Sequence, residues 1–190
     1  MINYKKIFKI FVFSAIIILL IYFLYTKLKM FSFKKNMNAT QKVSTQYSSD
    51  EKLRDVVIFY GDPKIDGLKS YSTKIPETGS ITNQVKQVLN LMFDIIPQDY
   101  MRVIPEGTTV REIFIDSNSI LYIDLSEEFM INNKGGTTLE FLSVYSILKS
   151  VFSNFKDIRG VKLLINGIEQ ETIAGHLSIG DIFRPTDINL

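Results

Sequence analysis

The sequence has no cysteine and a single histidine among its 190 residues, and these absences exclude several classes of protein. Without cysteine the chain has no thiol nucleophile, disulfide framework or iron–sulfur cluster, and a zinc site built from cysteine and histidine is excluded. The missing cysteine also removes the attachment point for the lipid of a bacterial lipoprotein. Any membrane attachment must therefore come from the polypeptide, and no metal or cofactor is predicted.

Acidic residues are missing from the first 49 positions, which contain eight lysines. Residues 50–190 carry 14 Lys and Arg against 20 Asp and Glu, a net charge of −6, although the whole chain is at +2. A basic leader therefore precedes an acidic body. Because affinity for phosphate needs clustered cations, the body is a poor candidate for nucleic-acid binding, and no nucleic-acid partner is predicted.

Charged residues are nearly absent from Ile7–Tyr25, which contains Lys9 alone. A helix of this length spans roughly 28 Å, about the hydrocarbon thickness of a bilayer, and Tyr22 and Tyr25 suit its interface. A cleaved signal peptide is disfavoured because the run is long and no small-x-small cleavage site follows it. The pattern predicts a signal-anchor in residues 1–26 that crosses the membrane once as a transmembrane helix.

Lysines flank this run on both sides, so the charge bias alone does not decide the orientation in the membrane. The short N-terminal tail most simply stays in the cytoplasm, which places the body outside it. Residues 27–54 are rich in Lys, Ser, Thr, Gln and Asn without an apolar period, and we interpret them as a flexible basic linker. The globular body is predicted over residues 55–190.

Apolar patterns divide the body into strands and helices. Strands are predicted at Val56–Tyr60, Leu68–Ile75, Val110–Ile115, Ile120–Leu125, Val161–Ile165 and Ile168–Ile173. Asn166-Gly167 is a strong hairpin signal between the last two. A first helix is predicted at Ile81–Phe93, with Ser80 as its N-cap. This order predicts an α+β fold, in which two amphipathic helices pack on one face of a small mixed β-sheet.

The second helix has a marked start, since Thr137 and Glu140 match a capping box after Gly135-Gly136. The predicted apolar face consists of Phe141, Val144, Tyr145, Leu148, Val151, Phe152 and Phe155. The predicted polar face consists of Glu140, Ser143, Ser146, Ser150 and Ser153. The serine side of this helix is therefore expected to face solvent.

A colinear series of short motifs runs through the body. It comprises Pro105-x-Gly107-Thr108, Leu121-Tyr122-Ile123-Asp124-Leu125-Ser126, Phe129, Gly135-Gly136, Glu140, Tyr145, Asn166-Gly167, Glu171-Thr172 and Gly175-His176. In this order the motifs resemble the GerMN domain, the sporulation and spore-germination GerM domain, from about Val57 to Pro185. This chain has a single copy behind a membrane anchor.

The resemblance implies an extracytoplasmic domain of bacterial envelope or sporulation proteins. It also implies a fold similar to the ring-building motif of secretion and sporulation channels, without an established catalytic activity. Some members of the family have two copies of the domain or a lipidated cysteine, so the resemblance does not by itself assign a sporulation role to this chain.

Two groups of residues, one at the start of the second helix and one at a strand end, are candidates for a binding or catalytic role. Gly135-Gly136-Thr137-Thr138 opens a helix as phosphate loops do, but it lacks the lysine of the GxxxxGK[ST] pattern. Asp124 and Ser126 end a strand and fit either a base and a nucleophile or the caps of a turn. In both groups the structural interpretation is favoured.

The remaining candidates are two acids and the histidine. Glu127-Glu128 fits a solvated turn better than the paired carboxylates of a glycosidase. His176 with Ser178 and Asp181 fits a catalytic base, but no nucleophile elbow accompanies it, and a hydrogen-bonded structural role is favoured. No catalytic, cofactor-binding or metal site is predicted, and no small-molecule substrate is identified.

The sequence favours a non-catalytic interaction module of the bacterial cell envelope, which binds another envelope component or itself. The alternative is a membrane-tethered cell-wall hydrolase or carbohydrate-binding domain. Three predicted strands contain consecutive apolar residues, at 113–115, 120–123 and 163–165, and these put apolar side chains on both faces of the sheet. The second face is then either covered by the same chain or free to dock a partner.

Overall fold

The described part of the chain comprises residues 52–65, 67–133 and 136–188 of a computed structural model. The predicted signal-anchor and almost all of the predicted linker lie outside these residues. Among the helices within them, none is long and apolar enough to cross a membrane.

The elements follow one another in the predicted order, except that a short helix at Glu128–Ile131 was not predicted and the strand predicted at Ile168–Ile173 is absent from the described residues. They are β1 (Leu53–Gly61), β2 (Leu68–Pro76), α1 (Ile81–Asp94), β3 (Val110–Ile115), β4 (Ile120–Leu125), α2 (Glu128–Ile131), α3 (Thr137–Asn154) and β5 (Gly160–Ile165), with a 3₁₀ turn at Pro185–Ile188. The predicted bounds of β3 and β4 are confirmed. Ser80 is confirmed as the N-cap of α1, since its Oγ accepts a hydrogen bond from the backbone N–H of Asn83.

β1 and β2 form a two-stranded antiparallel sheet. Strand alternation directs Val56, Ile58 and Tyr60 into the core, where each is at most 1% exposed. β2 is much less buried, and Ile75 is its one fully buried residue. The weaker apolar pattern of β2 therefore reflects a strand that lies largely at the surface.

Side chains of α3, rather than a third strand, close the second edge of β1. The backbone N–H of Val57 donates to Oδ1 of Asn154, and that of Phe59 donates to Oγ of Ser150, both at 2.9 Å. Val57 and Phe59 point their backbone N–H and C=O groups away from β2. In an antiparallel pair the residues opposite them, Ser72 and Ser70, therefore point theirs away from β1. No described strand pairs with this edge of β2, which is therefore the free edge of the sheet, although the Ser70 carbonyl there accepts a hydrogen bond from the Tyr100 hydroxyl at 2.8 Å.

The predicted polar face of α3 is wrong, because most of it is buried. Glu140, Ser143, Ser146 and Ser150 are each 0% exposed. The three serine hydroxyls donate to carbonyls one turn earlier in the helix at 2.7–2.9 Å. A small side chain whose hydroxyl is satisfied within its own helix allows neighbouring elements to approach closely. The serine side accordingly packs against β1 and against Met92 of α1.

β4 is the centre of a three-stranded sheet, antiparallel to β3 and parallel to β5. Leu121, Ile123 and Leu125 of β4 are 0% exposed and belong to the main core. The parallel pair requires a long crossover, which α3 provides. The α+β class is confirmed, but the strands are divided between two small sheets where a single sheet was predicted.

The turn at Asn166-Gly167 is present, but the predicted strand Ile168–Ile173 after it is not. Asn166 and Gly167 have φ of 50° and 75°, and Ile165 and Ile168 exchange two backbone hydrogen bonds across them. The return strand is absent because the free edge of β5 is paired at Val161 with Phe183, much later in the chain.

Candidate functional site

Asp124 lies at the end of β4, where it holds the turn after β5. The residue is 5% exposed. Its Oδ1 accepts a hydrogen bond from the backbone N–H of Gly167 at 2.7 Å, and its Oδ2 lies 3.6 Å from Nε of Arg111. A carboxylate engaged by a backbone donor and a guanidinium is a structural clamp, so the turn-holding interpretation of Asp124 fits the geometry.

The same network extends to the protein surface through the turn. Nη1 of Arg111 donates to Oδ1 of Asn166 at 2.8 Å, and Nδ2 of Asn166 donates to Glu127 at 3.3 Å. β3, β4 and the turn after β5 are therefore tied together by polar side chains that are far apart in the sequence.

Ser126 and Glu128, the next candidates along the chain, are also joined to their surroundings. Ser126 Oγ accepts a hydrogen bond from the backbone N–H of Thr109 at 3.0 Å. The hydroxyl of Ser126 also lowers the pKa of the Glu128 carboxyl by hydrogen bonding to it. No hydrogen bond joins Ser126 to a histidine or lysine in the described residues, so its surroundings are those of a turn cap and not of an activated nucleophile.

Glu140 is the most deeply buried acid among the described residues, and its partner is the candidate His176. Oε1 of Glu140 lies 2.6 Å from Nδ1 of His176, and Oε2 accepts the backbone N–H groups of His176 and Leu177 at 3.2 and 3.1 Å. One carboxylate thus clamps the segment around His176 to the first turn of α3.

The hydrogen bonds decide the ionisation of Glu140. Burial raises the pKa of its carboxyl, but the His176 ring and the backbone N–H groups of Leu177, His176 and Ala174 lower it. The net result is a pKa below the ordinary value of 4.5, so the buried carboxylate is charged at neutral pH.

His176 does not form with Ser178 and Asp181 the catalytic arrangement that was the less favoured alternative from the sequence. Its ring is bound to Glu140, and no hydrogen bond connects it to either residue in the described part of the chain. Ser178 forms an isolated bridge with Thr172, which shapes the loop. The hydrogen-bonded structural role therefore accounts for the contacts of His176.

The start of α3 differs from the predicted capping box. Gly136 is the N-cap, with φ of 96°, and no side chain caps the helix there. Thr137 is exposed, and the carboxylate of Glu140 is turned inward to the segment around His176. Gly135 lies outside the described residues, so the predicted glycine pair is described only in part.

Three tyrosines form an aromatic cluster beside β1. Tyr60 contacts Tyr71 and Tyr100 edge to face, with ring centroids 6.1 and 5.7 Å apart. The Tyr60 hydroxyl is buried without a hydrogen-bond partner in the described residues. Burial, and then the neighbouring Tyr71, raise the pKa of Tyr60 well above its ordinary value of 10.0, so the phenol stays protonated and acts in packing.

The described residues contain no group of three or more acidic or histidine side chains that could hold a metal ion. They do contain exposed apolar side chains at the tip of the first hairpin and along α3. Phe141 is 43% exposed and borders an open groove of 400 Å³ together with Leu68 and Tyr145. Ile65 is 63% exposed and lies close to one wall of this groove. We call these four residues the hairpin patch.

Stacking of two aromatic rings shapes the hairpin patch. Phe141 and Tyr145 lie with their ring centroids 3.7 Å apart and their planes at 19°. The apolar periodicity placed Phe141 in the core, and this was wrong because the buried serines rotate α3 about its axis. Serines at 143, 146 and 150 have helical spacing, which is the one sequence signal for that rotation.

The geometry defines a mixed α+β domain in which Asp124, Ser126 and His176 make structural contacts. The family model Germane, described as sporulation and spore germination, matches residues 57–171. The match covers more than half of the chain, and the chain therefore belongs to the Germane family. The predicted resemblance to the GerMN domain is confirmed.

Solved structures show the same fold. The tandem GerMN domains of the sporulation protein GerM from Bacillus subtilis are 24% identical with a TM-score of 0.58, and the match covers 72% of this chain but 48% of that one. The first GerMN domain of the same protein is 24% identical, with a TM-score of 0.51 and coverage of 72% and 99%.

A putative lipoprotein from Clostridium perfringens is 16% identical, with a TM-score of 0.50 and coverage of 75% of this chain and 96% of that one. At these identities the likeness shows the shared fold alone. The chain spans about half of the tandem GerM structure, which contains two copies of the domain. No curated protein matches the sequence significantly.

Proposed function

We propose that the chain is a non-catalytic interaction module, anchored in the membrane and facing the outer side of a bacterial cell envelope. Its partners are further copies of itself or another envelope protein. The anchor rests on the uninterrupted apolar run Ile7–Tyr25. The outer location rests on the family, described as sporulation and spore germination, and on the fold, which a sporulation protein and a putative lipoprotein share.

The hairpin patch is the observation that carries the interaction role. Its exposed aromatic and aliphatic side chains lie next to the free edge of β2, since Leu68 is both in the patch and at the start of that strand. An exposed apolar surface beside an unpaired strand edge is typical of protein docking sites. Confinement to a membrane plane raises the local concentration of partners, so weak contacts of this size suffice.

The test is crosslinking of the full-length protein in membranes, with Phe141→Glu as the variant. A carboxylate in the hairpin patch must lose its hydration when a partner docks, so crosslinked species should fall to a small fraction of the wild-type amount. Ile168→Glu is the matched control, because Ile168 is 61% exposed but lies on the turn after β5. It should crosslink like the wild type.

Two results would contradict the proposal. Equal loss in both variants would assign the effect to added charge and not to the hairpin patch. The absence of crosslinks in the wild type under every condition tried would remove the interaction role. Unchanged denaturant midpoints of the variants confirm that the domain remains folded in the comparison.

A further inference from the structure

The outer face of the three-stranded sheet carries a row of side chains set by strand register. Phe114 of β3 lies opposite Tyr122 of β4, which lies beside Lys162 of β5. The Phe114 and Tyr122 rings are stacked, with centroids 4.5 Å apart and planes at 7°. Phe114 therefore covers one face of the Tyr122 ring, and the other face is turned toward Lys162.

The C-terminal segment forms the opposite wall of this space. Phe183 pairs with Val161 at the edge of β5 and packs against the core, so its neighbours Ile182 and Arg184 point to the outer face. The segment lies so close that a Cβ on Gly160 would be 2.6 Å from Cγ2 of Ile182, which only glycine permits. Between the walls is a groove of 490 Å³, which we call the sheet groove.

The polar groups of the sheet groove are partly committed and partly free. Lys162 is 5% exposed, and its ammonium donates to Glu169 at 2.9 Å and to the carbonyl of Gly180. The guanidinium of Arg184 and the carboxylate of Asp181 also line the groove and have no partner among the described residues. A buried lysine in a strand is costly unless it is paired, and Glu169 and the Gly180 carbonyl supply that pairing here, which leaves Asp181 and Arg184 for a ligand.

These features select a ligand class. A groove of this volume accommodates one or two sugar rings. Tyr122 lines the groove with the ring face opposite Phe114 and can stack on a ligand there. Asp181 can accept hydroxyl hydrogens, and Arg184 can bind a carboxylate through two parallel hydrogen bonds. The two cations and two acids that line the groove sum to zero charge, which disfavours a polyphosphate.

We propose that the sheet groove binds a pyranose sugar that carries one carboxylate. The sugar ring stacks on Tyr122, its carboxylate pairs with Arg184 and its hydroxyls donate to Asp181. The groove shares no residue with the hairpin patch, so this site stands whether or not the hairpin patch binds protein.

The test is titration of the full-length protein in detergent micelles with two sugars, followed by saturation-transfer NMR. N-acetylmuramic acid is N-acetylglucosamine with one added ether group that carries a carboxylate. The acid should bind roughly tenfold more tightly, and Arg184→Gln should remove that difference without weakening the neutral sugar. Tyr122→Leu should weaken both sugars at least about tenfold.

Phe141→Leu is the control, because Phe141 is an exposed stacked ring outside the sheet groove, and it should bind both sugars like the wild type. Three results would overturn the proposal. They are no saturation transfer to either sugar, equal affinity for the two sugars, and unchanged binding of the acid in Arg184→Gln. The last variant changes an exposed side chain, so it keeps the test valid even where Tyr122→Leu fails to fold.

Discussion

At the scale of single residues, Glu140 shows how a side chain acquires its role from a distant partner. Its position in the first turn of a helix is typical of a capping acid. Its carboxylate is instead buried and accepts three hydrogen bonds from a segment 36 residues later in the chain. The local sequence around an acid that caps a helix is the same as that around an acid that binds a distant loop. Only the position of the later segment in the folded domain shows which role the acid has.

Replacement of Glu140 by glutamine should destabilise the domain by about 2–3 kcal/mol, because the amide NH2 group faces donors and the charge-assisted bonds are lost. The measurement is urea unfolding of the full-length protein in micelles at pH 7. Glu171→Gln is the control, since Glu171 is exposed in the same segment and its side chain makes no hydrogen bond with the described residues. Similar losses in both variants would contradict the clamp.

The pH dependence of that loss follows from the direction of the pKa shift. The pKa of Glu140 is lower in the folded state than its ordinary value of 4.5. Its contribution to stability is therefore complete above the unfolded-state pKa and is lost as the pH falls through the folded-state pKa. The free-energy difference between wild type and Glu140→Gln should therefore shrink as the pH falls below 4.5. A difference that stays constant or grows below that pH would reverse the assignment.

At the scale of elements, the start of α3 depends on backbone conformation. Gly136 has φ of 96° and ψ of 132°, a region that side chains disfavour, while an added Cβ would meet open space. Gly136→Ala should therefore cost about 1–3 kcal/mol through strain alone. Thr137→Ala should change stability by less than about 0.5 kcal/mol, because the Thr137 side chain forms no cap hydrogen bond. If a capping box at Thr137 started the helix, Thr137→Ala would be the more destabilising of the two variants. Denaturant midpoints of both variants distinguish these two starts.

The burial of α3 on its serine side was the main departure at this scale. Hydropathy assigns serine to solvent, but Ser143, Ser146 and Ser150 satisfy their hydroxyls inside the helix and let it lie against β1. A hydropathy pattern treats every polar residue as one that favours solvent. A serine hydroxyl that is hydrogen-bonded within its own helix, however, costs little free energy to bury. The bounds of β3 and β4 and the N-cap Ser80, by contrast, follow from local alternation and capping chemistry, and these were predicted correctly.

At the scale of the whole molecule, the sequence predicts a membrane anchor in residues 1–26. Full-length protein should remain in the membrane pellet after carbonate washing, since a run of this length buries in the hydrocarbon core. The matched variant Ile17→Lys with Leu20→Lys should be released, because each central lysine costs about 2.5–3.5 kcal/mol of insertion. Immunoblots of pellet and supernatant measure both. Release of the wild-type chain would show that the apolar run does not span the membrane.

The sequence by itself determined the order and bounds of most elements, the α+β class, the turn at Asn166-Gly167 and the family, because these depend on near-neighbour patterns and motif order. It did not determine the division into two sheets, the closing of β1 by Asn154 and Ser150, or the partner of Glu140. The sheet groove was not predicted either, because from the sequence Lys162 is only a single charged residue in an otherwise apolar strand. Each of these depends on contacts between residues far apart in the chain, and such contacts form only when the elements pack together.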